Sequence, residues 1–184
     1  MYEIEVKARL SNPEQTIAAL KAQGCSLSEP VTQDDKVFLR QGLDYAQSRG
    51  KEIFLRLRQQ KDQTIFTLKR AKSNELDCVE KEVTVSDGEK MEQILELLGY
   101  ALVMRIRKTR RKGLCDGYEV CLDEVDGLGS FIELEKMTDE PAAEVQTQMF
   151  SWLTSLGIAE SDRVTQGYDT LLYNASTDVI HKGK

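Results

Sequence analysis

The 184-residue chain has one histidine, His181, and no two cysteines spaced C-x-x-C. The usual donor sets of a structural zinc ion are therefore missing. His181 lies in a polar C-terminal stretch and reads as inert rather than catalytic. The four cysteines, Cys25, Cys78, Cys115 and Cys121, are expected to be reduced structural thiols rather than a disulfide framework. No apolar run approaches the ~20 residues that span a bilayer, and there is no internal repeat or low-complexity tract. A net charge of -6 argues against a protein that coats nucleic acid with its whole surface. The N-terminus opens directly into a charged strand pattern, which argues against a signal peptide. These absences point to a cytoplasmic protein with neither a nucleic-acid nor a membrane partner.

What is present is alternation. Charged residues make up 30% and hydrophobic residues 40%, enough for one domain with a sizeable core. In Glu3-Ile4-Glu5-Val6-Lys7, charged and apolar side chains take opposite faces of a strand. The same pattern returns in Leu55-Arg56-Leu57-Arg58, Thr67-Leu68-Lys69, Glu80-Lys81-Glu82 and Glu133-Leu134-Glu135. Strands are predicted at about 1–10, 32–41, 51–61, 63–72, 76–86, 100–113, 116–124 and 129–137. Helices are predicted from Asn12-Pro13 to Gly24, from Asp87 to Gly99, and from Pro141 to Gly157. Hairpin turns are expected at Lys61-Asp62, Asp116-Gly117 and Asp126-Gly127. Trp152, at helical spacing, belongs to the core. Residues 167–172 read as a short apolar plug, and residues 174–184 as a polar tail. Helices inserted between blocks of strands give an α+β fold, and eight antiparallel strands suffice to close a barrel around a small ligand.

Alternating charge usually marks the solvated face of a half-buried sheet. Three features favour the opposite arrangement, with the charges inside. The charges segregate by strand: Glu3 with Glu5, Glu80 with Glu82, Glu133 with Glu135, Arg56 with Arg58, and Lys108 with Arg110. The apolar faces are well filled, and three amphipathic helices are available to cover them. Carboxylates and cations then share one cavity, where they compensate each other. Paired carboxylates supply oxygen ligands to Mg²⁺ or Mn²⁺. Arginines and lysines meet phosphate oxygens. A tunnel so lined suits a polyphosphate with its divalent metals.

Taken in order, these motifs resemble the CYTH domain, the superfamily of triphosphate tunnel metalloenzymes, and most of all its class IV (CyaB-type) adenylyl cyclase branch. The resemblance rests on E-x-E-x-K (Glu3, Glu5, Lys7), L-R-L-R (Arg56, Arg58), T-L-K (Lys69), E-x-E (Glu80, Glu82) and K-x-R (Lys108, Arg110). It continues through Leu122-Asp123-Glu124, the Gly127 to Glu133 stretch and the closing Gly167 to Leu172 segment. It covers residues 1–173, which are expected to form the domain. Val37 stands where the family often carries an aromatic residue. The resemblance implies an eight-stranded antiparallel barrel, open as a tunnel, with helices packed outside. It implies metal coordination by Glu3, Glu5, Glu80, Glu82, Glu133 and Glu135, with Mg²⁺ or Mn²⁺ as cofactor. It implies triphosphate binding by Lys7, Arg56, Arg58, Lys69, Lys108 and Arg110, with Asp123, Lys7 and Arg110 nearest the chemistry. The implied substrate is ATP, converted to cyclic AMP and pyrophosphate. The alternatives are hydrolysis of inorganic triphosphate, thiamine triphosphate or a nucleotide, and a non-catalytic polyphosphate-binding module. A homodimer is the family default.

Overall fold

A computed structural model describes residues 2–48 and 51–182, with side chains through residue 176. His181, read above as inert, has its side chain outside the described set.

The chain begins with β1 (Tyr2–Arg9), α1 (Pro13–Ala22), the two-residue strand β2 (Ser26–Leu27), β3 (Val31–Arg40) and the short helix α2 (Tyr45–Ser48). There follow β4 (Ile53–Gln60), β5 (Gln63–Asn74), β6 (Asp77–Val85), α3 (Gly88–Leu97), β7 (Tyr100–Cys115), β8 (Tyr118–Val125) and β9 (Gly129–Thr138). The chain ends with α4 (Ala142–Ser155), the two-residue strand β10 (Arg163–Val164) and α5 (Tyr168–Lys182). Local chemistry sets several of these bounds. The Asn12 side chain accepts a hydrogen bond from the Gln15 amide, and Pro13 occupies the first helical turn. Asp87 likewise accepts from the Lys90 amide and starts α3. At the β7–β8 turn Asp116 and Gly117 both take positive φ, 51° and 82°, as a tight hairpin requires.

Strands β1, β6, β5, β4, β3, β7, β8 and β9 pair antiparallel in that order, and β9 pairs back onto β1 from Arg9↔Phe131 to Tyr2↔Thr138. The sheet is thus a closed barrel of the eight strands predicted, with β2 added to β7 and β10 to β1. The apolar sides of the strands face outward onto the helices. Ile4, Val6, Ile132 and Leu134 pack with Val145, Met149, Phe150 and Leu153 of α4 and with Leu20 of α1. Trp152 packs at the edge of this cluster, edge-on to Tyr118. On the other side Phe38, Leu55 and Leu57 pack with Leu95 of α3.

Two expectations need revision. Cys25 and Cys115 form a disulfide with a Cα–Cα distance of 5.2 Å, whereas all four cysteines were expected to be free. Ninety residues separate the pair, and only the pairing of β2 with the end of β7 brings them together. Cys78 and Cys121 are free and buried. The plug and the polar tail are also continuous: α5 runs through their junction as one helix. Among the described residues no helix is long and apolar enough to cross a membrane.

Candidate functional site: a charged tunnel inside the barrel

Strand parity decides what lines the barrel. On β1 the odd-numbered residues Glu3, Glu5 and Lys7 face the lumen. On β4 Phe54, Arg56 and Arg58 do, on β6 Cys78, Glu80 and Glu82, and on β7 Ile106, Lys108, Arg110 and Lys112. Asp35 and Val37 of β3, Lys69 and Ala71 of β5, and Glu133 and Glu135 of β9 join them. They surround a cavity of about 210 Å³. All twelve side chains expected to bind metal or triphosphate therefore line one lumen. Asp123, the register partner of Arg110, shares its inward face and is fully enclosed beneath Lys108 and Arg110. Arg105 and Arg107 have the opposite parity and pair with Asp34 on the outer face.

The cations are held by three groups of ion pairs. Lys7 Nζ is 3.1 Å from both Glu5 and Glu133 and donates to the Gln166 carbonyl. Arg110 donates to Asp123, Glu133 and Glu135. Lys108 donates to Asp123 at 3.0 Å. Arg56 reaches Glu80 and Glu82 at 2.8 and 2.9 Å, and Lys69 reaches Glu80 at 3.0 Å. Arg58 grips Asp35 of β3 through two parallel bonds of 2.7 Å. Asp35 was missed by sequence reasoning, although it shares the parity of Val37 on the same strand. Glu119, Cys121 and Lys112 were missed too. Glu119, Cys121 and Glu135 bring three ligand atoms within 4.8 Å of one another.

Electrostatics divides the carboxylates into two groups. Burial raises Glu133, but Arg110 and Lys7 outweigh it and hold the group well below the ordinary range. Burial also opposes ionisation at Glu80, yet Lys69 and Arg56 bring it to about 2. Asp123 is lowered in the same way by Lys108 and Arg110. On the other side, burial and then Glu133 push Glu5 up to about 8. Glu3 rises to about 7 from burial, against the pull of Lys69. Glu135 is raised, chiefly by burial. The tunnel thus has carboxylates committed to cations and carboxylates still short of positive charge. Lys108 is pushed down to about 8 by burial and the neighbouring Arg110.

The second group has the charge and the donor type that a divalent cation takes. Glu5 is 6% exposed, and its Oε1 makes no well-directed hydrogen bond even though the Lys7 ammonium lies 3.1 Å away. Glu3, Glu5 and Glu135 offer hard oxygen donors of the kind such an ion takes, while the ligand atoms that lie within 4.8 Å of one another are those of Glu119, Cys121 and Glu135.

The model of the CYTH domain matches residues 1–168. This chain belongs to the CYTH family. The CYTH chain is 30% identical to "Putative adenylate cyclase MJ0240" of Methanocaldococcus jannaschii, over 91% of this chain and 97% of that relative. It is 26% identical to "Adenylate cyclase CyaB" of Aeromonas hydrophila, over 96% of this chain and 91% of that protein. The solved structure of the PH1819 protein from Pyrococcus horikoshii superposes with a TM-score of 0.80 at 25% identity, covering 94% of this chain and 99% of that one. The barrel and its helices are therefore the CYTH fold.

Proposed function

We propose that this CYTH chain is a metal-dependent enzyme acting on a triphosphate, of the class IV adenylyl cyclase type. One observation carries the reading. Lys7, Arg56, Arg58, Lys69, Lys108 and Arg110 converge in the same closed lumen as an acidic wall short of positive charge. A triphosphate of about four negative charges needs such cations. Each cation now leans on a carboxylate, and phosphate oxygens would take over part of those contacts. Arginine forks would clamp phosphate oxygens, and lysines would act as point charges. Lys7 and Arg110 would stabilise the charge that develops in the transition state. Asp123, held by Lys108 and Arg110, would keep both cations aimed into the lumen.

Glu3, Glu5 and Glu135 would hold Mg²⁺ or Mn²⁺, with Glu80, Glu82 and Glu133 contributing as the cations shift to substrate. A bound metal supplies Lewis-acid polarisation of the phosphorus under attack. In the cyclase reading the 3′-hydroxyl of ATP attacks the α-phosphorus in line and pyrophosphate leaves. A cytoplasmic location goes with a nucleotide substrate. The names of the Methanocaldococcus and Aeromonas relatives support the cyclase over a hydrolase of the same fold.

The test is direct. The protein is incubated with ATP, inorganic triphosphate and thiamine triphosphate, each with Mg²⁺ or Mn²⁺, and the products are identified. Cyclic AMP with pyrophosphate supports the cyclase. Orthophosphate selects the hydrolase. No product from any of them, with tight triphosphate binding, selects a binding module.

A further inference from the structure

Tyr168, at the start of α5, lines the lumen although it belongs to none of the barrel strands. It is 7% exposed. Its ring lies edge-on to Phe131, with centroids 5.1 Å apart, within a cluster that includes Val37, Ile106 and Val164. Two ammonium groups lie over that ring, Lys7 Nζ at 4.1 Å and Lys108 Nζ at 4.7 Å from its centroid. Such contacts fix a cation in place without neutralising it. The lead-in to α5 adds a second hold on Lys7 through the Gln166 carbonyl, 3.1 Å from Nζ. The Gly167 amide donates to Glu75 at 2.9 Å and ties this lead-in to the turn between β5 and β6.

The phenol oxygen is buried and has no hydrogen-bond partner. An unmet buried hydroxyl is unfavourable, and phenylalanine would fill the same apolar niche without it. Neither lysine relieves the hydroxyl, because both sit over the ring face. The group is thus an unpaired donor in the lining of a cavity that also holds six cations.

We propose that Tyr168 is a substrate-contacting residue: its phenol donates a hydrogen bond to a phosphate oxygen, while its ring positions Lys7 and Lys108 on the same phosphoryl group. This rests on the triphosphate reading of the same lumen and adds to it a neutral donor and an aromatic platform supplied by α5.

Binding of inorganic triphosphate, measured by calorimetry on the full chain with and without Mg²⁺, tests it separately from turnover. Tyr168→Phe keeps the ring and loses the donor. It should weaken binding about 10- to 100-fold, as for a lost bond to a charged group. Its melting temperature should be unchanged or higher, because an unmet polar atom has gone. Tyr168→Leu removes the platform as well and should weaken binding further. Wild-type affinity in Tyr168→Phe, or a loss of affinity matched by a fall in melting temperature, overturns the inference while leaving the triphosphate reading intact. A wild-type protein that does not bind triphosphate overturns both.

Discussion

Glu5 of β1 and Glu135 of β9 are register partners, carboxylate opposite carboxylate on the tunnel wall. Glu119 of β8 continues the row beyond Glu135. Like charges directly across a strand pair destabilise a sheet. Here the same register draws Arg110 and Lys112 in from β7, with Arg110 3.1 Å from Glu135. Glu5 gains only the Lys7 ammonium, which it shares with Glu133. The metal-free barrel therefore carries an electrostatic cost that a bound cation would remove.

Replacing Glu5 by glutamine keeps the shape and removes the charge that the carboxylate carries above about pH 8, so wild type and variant are compared at about pH 9. The metal-free variant should melt several degrees higher than wild type, since about 1 kcal/mol corresponds to roughly 2–4 °C at this chain length. Metal-dependent turnover should fall by about 100-fold or more. Thermal unfolding in chelator, set beside activity with Mg²⁺, checks both. A variant that melts lower in chelator contradicts the account of the acidic row.

Stability without metal should fall as pH rises from about 4.5 to 8. Glu3 and Glu5 titrate near 7 and 8 in the folded chain, against an ordinary value of 4.5. Over that window the folded state holds more protons than the unfolded state, so the slope of stability with pH is negative. Lys108, lowered to about 8 from 10.5, acts in the opposite sense and only above pH 8. Metal affinity should rise across pH 7–8, because the ligands must lose protons. Denaturant titrations in chelator from pH 5 to 8 measure the slope, and a flat or rising curve refutes it.

Arg110→Ala should be severe on two counts. It strips Asp123 and Glu133 of a buried partner, at a cost of roughly 3–5 kcal/mol in stability, and it removes the proposed phosphate clamp. Arg110→Lys should recover charge but not the fork, and so only part of the affinity for triphosphate. Arg111→Ala, on the outer face, should change stability by no more than about 0.5 kcal/mol and leave kcat/KM unchanged. Comparable losses in the Arg110→Ala and Arg111→Ala variants would show the face of β7 to be misassigned.

Reduction of the Cys25–Cys115 disulfide should lower stability by roughly 2–4 kcal/mol, as expected for a long closed loop. Both cysteines belong to the apolar cluster outside the barrel, so triphosphate affinity should not change. Melting curves and calorimetry with and without a thiol reductant separate the two effects.

The sequence revealed the barrel because a period of two is local information. Glu3, Glu5 and Lys7 declare their shared face within five residues, and the same holds for Arg56 with Arg58 and Glu133 with Glu135. Contacts made by a single side chain across the lumen left no such signal. Asp35 is one carboxylate on a mixed strand, and only the register of β3 with β4 sets it against Arg58. Tyr168 follows a glycine in an otherwise ordinary amphipathic helix, and nothing nearby says that it reaches Lys7. Parity also could not say which carboxylates are already spent on cations. That division depends on three-dimensional pairing, as the contrast between Glu133 and Glu5 shows.

The barrel is closed by its first strand meeting its last, and this sets a schedule for folding. β1 precedes the other strands of the barrel in the chain, yet its long partner β9 comes after all of them. Until β9 is in place, β1 is held to the sheet by its short pairing with β6, Glu3↔Cys78 and Ile4↔Asp77, and Glu5 has no wall to complete. A seam of such long sequence separation makes for slow closure. A nascent chain stalled before β9 would expose two unpaired strand edges, the state most open to aggregation. Ligand-binding capacity should therefore arise late and all at once, when the two ends of the sheet lock together.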